Sequence, residues 1–159
     1  MNILDAIQAR KSIRSFKNKE VPREIIENIL NISRFAPSGG NTQPWKIYVL
    51  SNDQLKQNFS FFGAPVGMLV TVEKEVDLNG WGHVGHFIQN ICLSSMEFGL
   101  GTCLQESWSM YPETAQKIVK FNESEILWCG IALGYPNEDH VINSYRTPRE
   151  ELKDFAKFL

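Results

Sequence analysis

Cysteine is scarce in this chain, and no C-x-x-C pair occurs. The three present, Cys92, Cys103 and Cys129, are far apart and set among apolar neighbours. A disulfide framework is excluded by that pattern, and no basic or helix-N-terminal surroundings are visible that would activate a thiol. They read as reduced core residues. Also missing are G-x-x-x-x-G-K-[ST] and G-x-S-x-G, so a P-loop and a nucleophile elbow have no support. Nor is there an excess of positive charge: 16 Lys and Arg stand against 18 Asp and Glu, with an isoelectric point near 5.9. That balance argues against a partner whose phosphate backbone must be neutralised, and no nucleic acid is expected. No apolar run reaches the length that spans a bilayer, and Met1-Asn2-Ile3-Leu4-Asp5 lacks the layout of a secretory leader. The expectation is a soluble, cytoplasmic protein without membrane contact.

With 159 residues, 43% of them hydrophobic, the chain can bury one core and is read as a single domain over 1–159. Its elements follow from hydrophobic period and punctuation. Ile3, Leu4 and Ile7 have helical spacing within 2–10. Pro22 suits a first helical position ahead of Ile25, Ile26, Ile29, Leu30 and Ile32, an amphipathic helix to about Phe35 that Pro37 stops. Residues 45–50 and 66–73 read as strands, with Ser51 and Asp53 as caps of a short helix through Gln57 between them. From about 80 to 99, Phe87, Ile88, Ile91, Cys92, Leu93, Met96 and Phe98 leave little polar surface. That helix should lie in a core or a subunit interface. Residues 102–105 follow as a short strand, 112–120 as a helix, 126–133 as the most apolar strand and 148–158 as a last helix. Strands mixed with helices, without regular alternation, favour an α+β three-layer arrangement over a doubly wound sheet.

Trp81-Gly82-His83-Val84-Gly85-His86 places two imidazoles three apart on a helix, a possible metal pair. No third ligand or neighbouring carboxylate accompanies them at a recognisable spacing, so no metal is expected. More informative are two basic clusters. Arg10-Lys11-Ser12-Ile13-Arg14 sets three cations and a hydroxyl just after the first helix, and Arg146-Thr147-Pro148-Arg149 adds two cations near the last. Guanidinium forks and hydroxyls suit a phosphate, through bidentate, charge-assisted hydrogen bonds. Either cluster alone reads as solvated surface, since exposed Lys and Arg are common. The stretch Pro37-Ser38-Gly39-Gly40-Asn41-Thr42-Gln43-Pro44 changes the balance. Its glycines let backbone N–H groups approach a planar heterocycle, while Ser38, Asn41 and Gln43 offer the donors and acceptors that a flavin edge requires.

In these motifs the chain resembles the nitroreductase family of FMN-dependent oxidoreductases. The ordered set is specific: residues 10–14, the run from Ala36 to Trp45, Gln89-Asn90, Gly99-Leu100-Gly101-Thr102-Cys103 and Ala132-Leu133-Gly134-Tyr135-Pro136. The resemblance implies a central, mostly antiparallel sheet flanked by helices, and a homodimer with two FMN sites at its interface. It implies that Arg10, Lys11, Ser12 and Arg14 form the early FMN-binding segment. Pro37, Ser38, Gly39 and Asn41, with Gln43 beside them, then match the loop that reaches the flavin, in many members from the partner subunit. Gln105 and Glu106 fall where the family turns backbone toward the flavin ring, and Arg149 or Arg146 matches a late phosphate contact. The implied reaction is ping-pong: NAD(P)H reduces FMN, and a small organic acceptor such as a nitroaromatic or quinone takes the electrons. No protein acid or base is assigned, because the flavin carries the chemistry. A non-enzymatic FMN-binding protein is the alternative. Close relatives place several dozen residues between the strand ending at Leu50 and the segment from Asn58 to Phe62, where this chain has about seven. A flavin bound here is therefore expected to have an unusually open reactive face.

Overall fold

The computed structural model describes residues 2–50, 61–75 and 80–159. The short helix expected after Ser51 lies outside them. Helix α1 (Ile3–Ala9) starts where the Asn2 side chain accepts a hydrogen bond from Asp5 N at 3.0 Å, satisfying one free donor of the first turn. Pro22 stands just before α2 (Arg23–Ser33) rather than inside it, and Ile26 and Ile29 carry its buried stripe. Strands β1 (Trp45–Leu50) and β2 (Val66–Glu73), helix α3 (Gly80–Glu97) and strands β3 (Gly101–Gln105) and β4 (Glu125–Gly134) form the rest of the framework. Short helices α4 (Pro112–Gln116) and α5 (Leu152–Phe155) complete it.

The sheet has the order β1-β2-β4-β3, and all three pairings are antiparallel, with Val66 opposite Leu133 and Gly101 opposite Gly134. Side chains alternate across a strand. Val66, Met68, Val70 and Val72 of β2 accordingly meet α2 and α3, and Leu69 meets Phe61, Trp108 and Phe121 on the opposite face. Both faces are covered, which explains why β2 and β4 are apolar almost throughout and gives the three-layer α+β arrangement expected. Trp45 stacks on Phe87 at 4.7 Å between centroids and 7° between planes, tying β1 to α3. On the second face Trp108 lies flat against the sheet because Gly130 has no side chain: a Cβ there would overlap Trp108 Cδ1.

Three expectations from sequence change here. Helix α4 ends at Gln116, not at residue 120, as Ile118 N and Val119 N both bond to Ala115 O and their side chains turn toward the second core cluster. The last helix shrinks from 148–158 to α5. Leu152, Phe155 and Phe158 are 56%, 69% and 89% exposed, so its apolar residues find little surface among the described residues to pack on, and a helix that short is marginal alone. Helix α3 is less uniformly covered than its composition suggests: Phe87, Ile88, Ile91 and Cys92 are buried, whereas Leu93 and Met96 are only half-buried. Its opening residues Gly80-Trp81-Gly82-His83-Val84-Gly85 have the spacing G-x-G-x-x-G. They lie inside the helix rather than in a strand-to-helix turn, so no Rossmann phosphate loop forms. Among the described residues, no helix is long and apolar enough to cross a membrane.

At the far end of the sheet Glu125 opens β4 with its side chain sealed from solvent. Thr71 Oγ1 donates to its carboxylate, Tyr48 OH does so at 2.9 Å and Asn122 Nδ2 at 3.0 Å, and Lys46 Nζ lies 3.4 Å away while pairing with Glu73 at 2.6 Å. Burial opposes the charge on Glu125, but these donors outweigh it and hold the carboxyl below its usual range. A folded-state pKa depressed in this way contributes stability that is present above the unfolded value, about 4.3, and is lost as pH falls toward the folded value. The melting temperature should thus drop as pH is lowered through the carboxylate range. Glu125→Gln should lower stability at neutral pH by about 2 kcal/mol and flatten that acid limb, which thermal unfolding from pH 7 to pH 3 measures.

Candidate functional site

Past α1 the chain runs extended beside β3. Ile13 N donates to Thr102 O at 2.9 Å, and Ser12 pairs with Thr102 in a parallel bridge. Gly101 makes so close an approach feasible, since a Cβ there would overlap Ile13 Cγ1 and stand 3.1 Å from Pro136 Cγ. The other side of the segment is held by the residues after β4: Lys17 N bonds to Tyr135 O at 2.8 Å and Asn137 N to Ser15 O at 3.0 Å. Asn143 is the knot. Buried to 3% exposure, it accepts from Arg14 N at 2.9 Å and donates to Ser15 O and Asn137 O at 2.8 Å each, and its backbone carbonyl takes the Lys11 ammonium.

Between these strands of chain lies a cavity of about 260 Å³. Arg10, Lys11, Glu138 and Ser144 give it polar walls, and Ile13, Met96 and Leu100 an apolar floor. Burial pushes the Cys92 thiol up, with the Thr102 contact and then the Arg10 charge pulling the other way; burial raises Cys103 likewise, against the charge of Arg14. Two guanidinium charges therefore act on the β3 region. Burial also pushes the Cys129 thiol up, to about 12. Burial thus favours the protonated thiol at all three.

Gln105 ends β3 opposite Gly130, and Glu106 begins the 3₁₀ turn that carries Trp108. From Thr102 to Gln105 is three strand steps, about 10 Å. The cationic cavity and the Gln105–Glu106 backbone thus occupy the two ends of one short strand.

The loop 37–43 stands elsewhere, against the first turns of α3. Gly39 N donates to His83 Nε2 at 3.1 Å, and His86 Nδ1 lies 3.4 Å from Pro37 O. Gly40, Asn41 and Gln43 adopt positive φ values of 57°, 55° and 47°. The expectation that this loop presents backbone N–H groups to a ring fails for four of them. Asn41 N bonds to Ser38 O, Thr42 N to Gly39 O, Gln43 N to Ser38 Oγ and Gly39 N to His83. What remains to face a ligand is the N–H groups of Ser38 and Gly40, side chains and carbonyls. The histidine pair grips this loop, and among the described residues no group of three or more His, Cys, Asp or Glu is placed to hold a metal. Arg146 and Arg149 do not join Arg10 and Lys11. Both are exposed, and Arg149 Nη1 is bonded to Thr147 and Pro148 next to it. From that part of the chain Asn143 and Ser144 line the cavity instead.

A sequence model of the nitroreductase family matches residues 7–60, the stretch that holds both the early basic segment and the loop. A putative NADH dehydrogenase/NAD(P)H nitroreductase of Methanothermobacter thermautotrophicus is 30% identical, over 87% of this chain and 80% of that protein. The chain belongs to the nitroreductase family. Among its relatives, a 4-nitrobenzoate reductase of Pseudomonas putida is 28% identical over 98% of this chain and 95% of its own length. That alignment runs over 215 positions against 159 residues here, so the relative holds residues this member of the family lacks. In structure, the FMN-dependent nitroreductase NfnB from Mycobacterium smegmatis, solved in complex with NADPH, superposes with a TM-score of 0.91 at 22% identity, covering 99% of this chain and 100% of that one. The fold is thereby the nitroreductase fold.

Two residues of the site escaped the sequence. Asn143 lies in a stretch without any motif, and nothing in its neighbours signals that it ties residues 11, 14, 15 and 137 together. His83 did carry a signal, its spacing of three from His86, but that spacing by itself does not point to a grip on the loop. Asn143→Ala should strand Arg14 N at a part-buried site and leave Ser15 O and Asn137 O with one donor each, Asn137 N and His140 N. A loss of about 2–3 kcal/mol is expected, measured as a shift in the urea unfolding midpoint at unchanged m-value.

Proposed function

We propose that this chain binds FMN and uses it to carry electrons from NAD(P)H to a small organic acceptor such as a nitroaromatic or quinone. The observation that carries the reading is the spacing along β3: a cationic cavity at one end, walled by Arg10 and Lys11, and the Gln105–Glu106 backbone about 10 Å away at the other. A ligand with an anionic tail and a flat, hydrogen-bonding head fits that separation. Arg10, Lys11 and Ser12 hold the phosphate, Arg14 adds a charge beside β3, and Gln105 and Glu106 border the ring. Arg146 and Arg149 sit on an exposed segment and serve the phosphate only if that segment closes over it. FMN, when bound, supplies hydride acceptance from the nicotinamide and electron delivery to the acceptor. The protein groups bind, orient and limit access.

The cavity of one chain is smaller than the roughly 300–1,000 Å³ common for ligand pockets, and loop 37–43 does not line it. A second copy completes the site. Ile3, Ile32 and Phe35 are exposed and line a groove of about 480 Å³, Leu4 and Ile7 of α1 are exposed as well, and Met96 lines both this groove and the cationic cavity. A homodimer formed through that face buries it and brings the partner's loop toward the flavin. Light scattering should give twice the chain mass at micromolar concentration. A monomer that still holds FMN contradicts this assembly.

The chain is short where relatives are long, so few side chains stand over the ring to separate one acceptor from another. We read the reaction as two half-steps at one face of the flavin. Under anaerobic conditions NADH or NADPH should bleach the bound flavin, and a nitroaromatic or quinone should restore its colour without added metal. A flavin that bleaches with dithionite but not with excess nicotinamide would mark an FMN-binding protein without this turnover.

A further inference from the structure

We propose that His83 is the positioning residue of the loop 37–43: its Nε2, accepting from Gly39 N–H, fixes where Ser38, Asn41 and Gln43 stand for flavin contact. This inference rests on the FMN reading above. The bonding roles are forced by the partners. A backbone amide can only donate, so His83 Nε2 accepts and the ring proton sits on Nδ1; a carbonyl can only accept, so His86 Nδ1 donates to Pro37 O. Two imidazoles three apart on one helix face thus do opposite jobs on the same loop.

The loop needs such a hold. Asn41 and Gln43 lie in the left-handed region, which non-glycine residues keep only where neighbours over-determine it. Ser38 Oγ holds Gln43 from within, and α3 holds the loop from outside at three points: His86 at Pro37, His83 at Gly39, and Phe87 stacked on Trp45 just past Pro44. Phe87 is buried, which makes that turn of α3 a rigid base. Gly39 is shaped to the imidazole, since a Cβ on it would stand 3.0 Å from His83 Nε2. Without the acceptor on residue 83 the middle of the loop loses its hydrogen bond to the helix, while both ends stay attached.

The test compares His83→Leu, which removes the acceptor, with His83→Gln, whose amide oxygen can replace it. FMN is titrated into each apo protein, and amide hydrogen exchange is followed across residues 37–43. His83→Leu should weaken FMN binding about 5–10-fold, the equivalent of one hydrogen bond, and speed exchange at Gly39 by a similar factor. His83→Gln should recover most of both. If His83→Leu folds poorly, His83→Lys takes its place, a side chain that donates but cannot accept. Wild-type affinity and exchange in His83→Leu, or equal losses in the Leu and Gln variants, overturn the inference and leave the FMN reading intact. Failure of the unaltered protein to bind FMN overturns both.

Discussion

One backbone hydrogen bond organises the charged half of this protein. Ile13 N to Thr102 O lays an irregular segment against the edge strand β3, and every cation of the early cluster takes its direction from that strap. Had β3 been a central strand, its outer edge would have been occupied by a neighbour; as an edge, it has donors and acceptors to share. Gly101 supplies the room and Asn143 locks the far side. Three cations close together in sequence repel one another in an open chain. Here Lys11 is turned onto the Asn143 carbonyl and Arg14 is held by its own N–H, so the repulsion is borne by fixed backbone.

The sheet keeps its two ends chemically apart. At the end where Glu73 faces Glu125, a buried carboxylate is satisfied by Thr71, Tyr48, Asn122 and Lys46, and the network is closed on itself. Where Gly101 faces Gly134, the polar groups border a cavity. The first arrangement fixes the register of β1, β2 and β4, because a slip of one residue would turn Glu125 to the other face and leave it unpaired. The second has walls left to bind something. Structural and functional polarity are thus separated by the length of β4, and a change at one end need not disturb the other.

Shortness gives this family member its character. The alignment with the 4-nitrobenzoate reductase is longer than the chain, yet the fold superposes closely on that of NfnB. Apolar side chains remain exposed along α1, at the end of α2 and in the last residues. A small chain can bury only part of its surface, and leaving this much apolar area uncovered favours association.

Composition and period alone determined the order of the described strands and of α1 to α3, both long strands, the buried stripes of α2 and α3 and the burial of the cysteines, because each depends on local spacing or near neighbours. The family was legible too, through short motifs whose order is itself information. Helix ends at 116 and 155 were not, since they depend on whether a distant surface exists to cover Ile118 or Phe155. The same holds for the site. Sequence singled out Arg10, Lys11, Ser12 and Arg14, and they do come together at β3, but it could not tell that Arg149 is bonded to its own neighbours or that four of the loop's N–H groups are already engaged. Asn143 and His83 act across 129 and 44 residues of chain. Hydrogen bonds over such separations leave no periodic trace, so only the folded chain decides them.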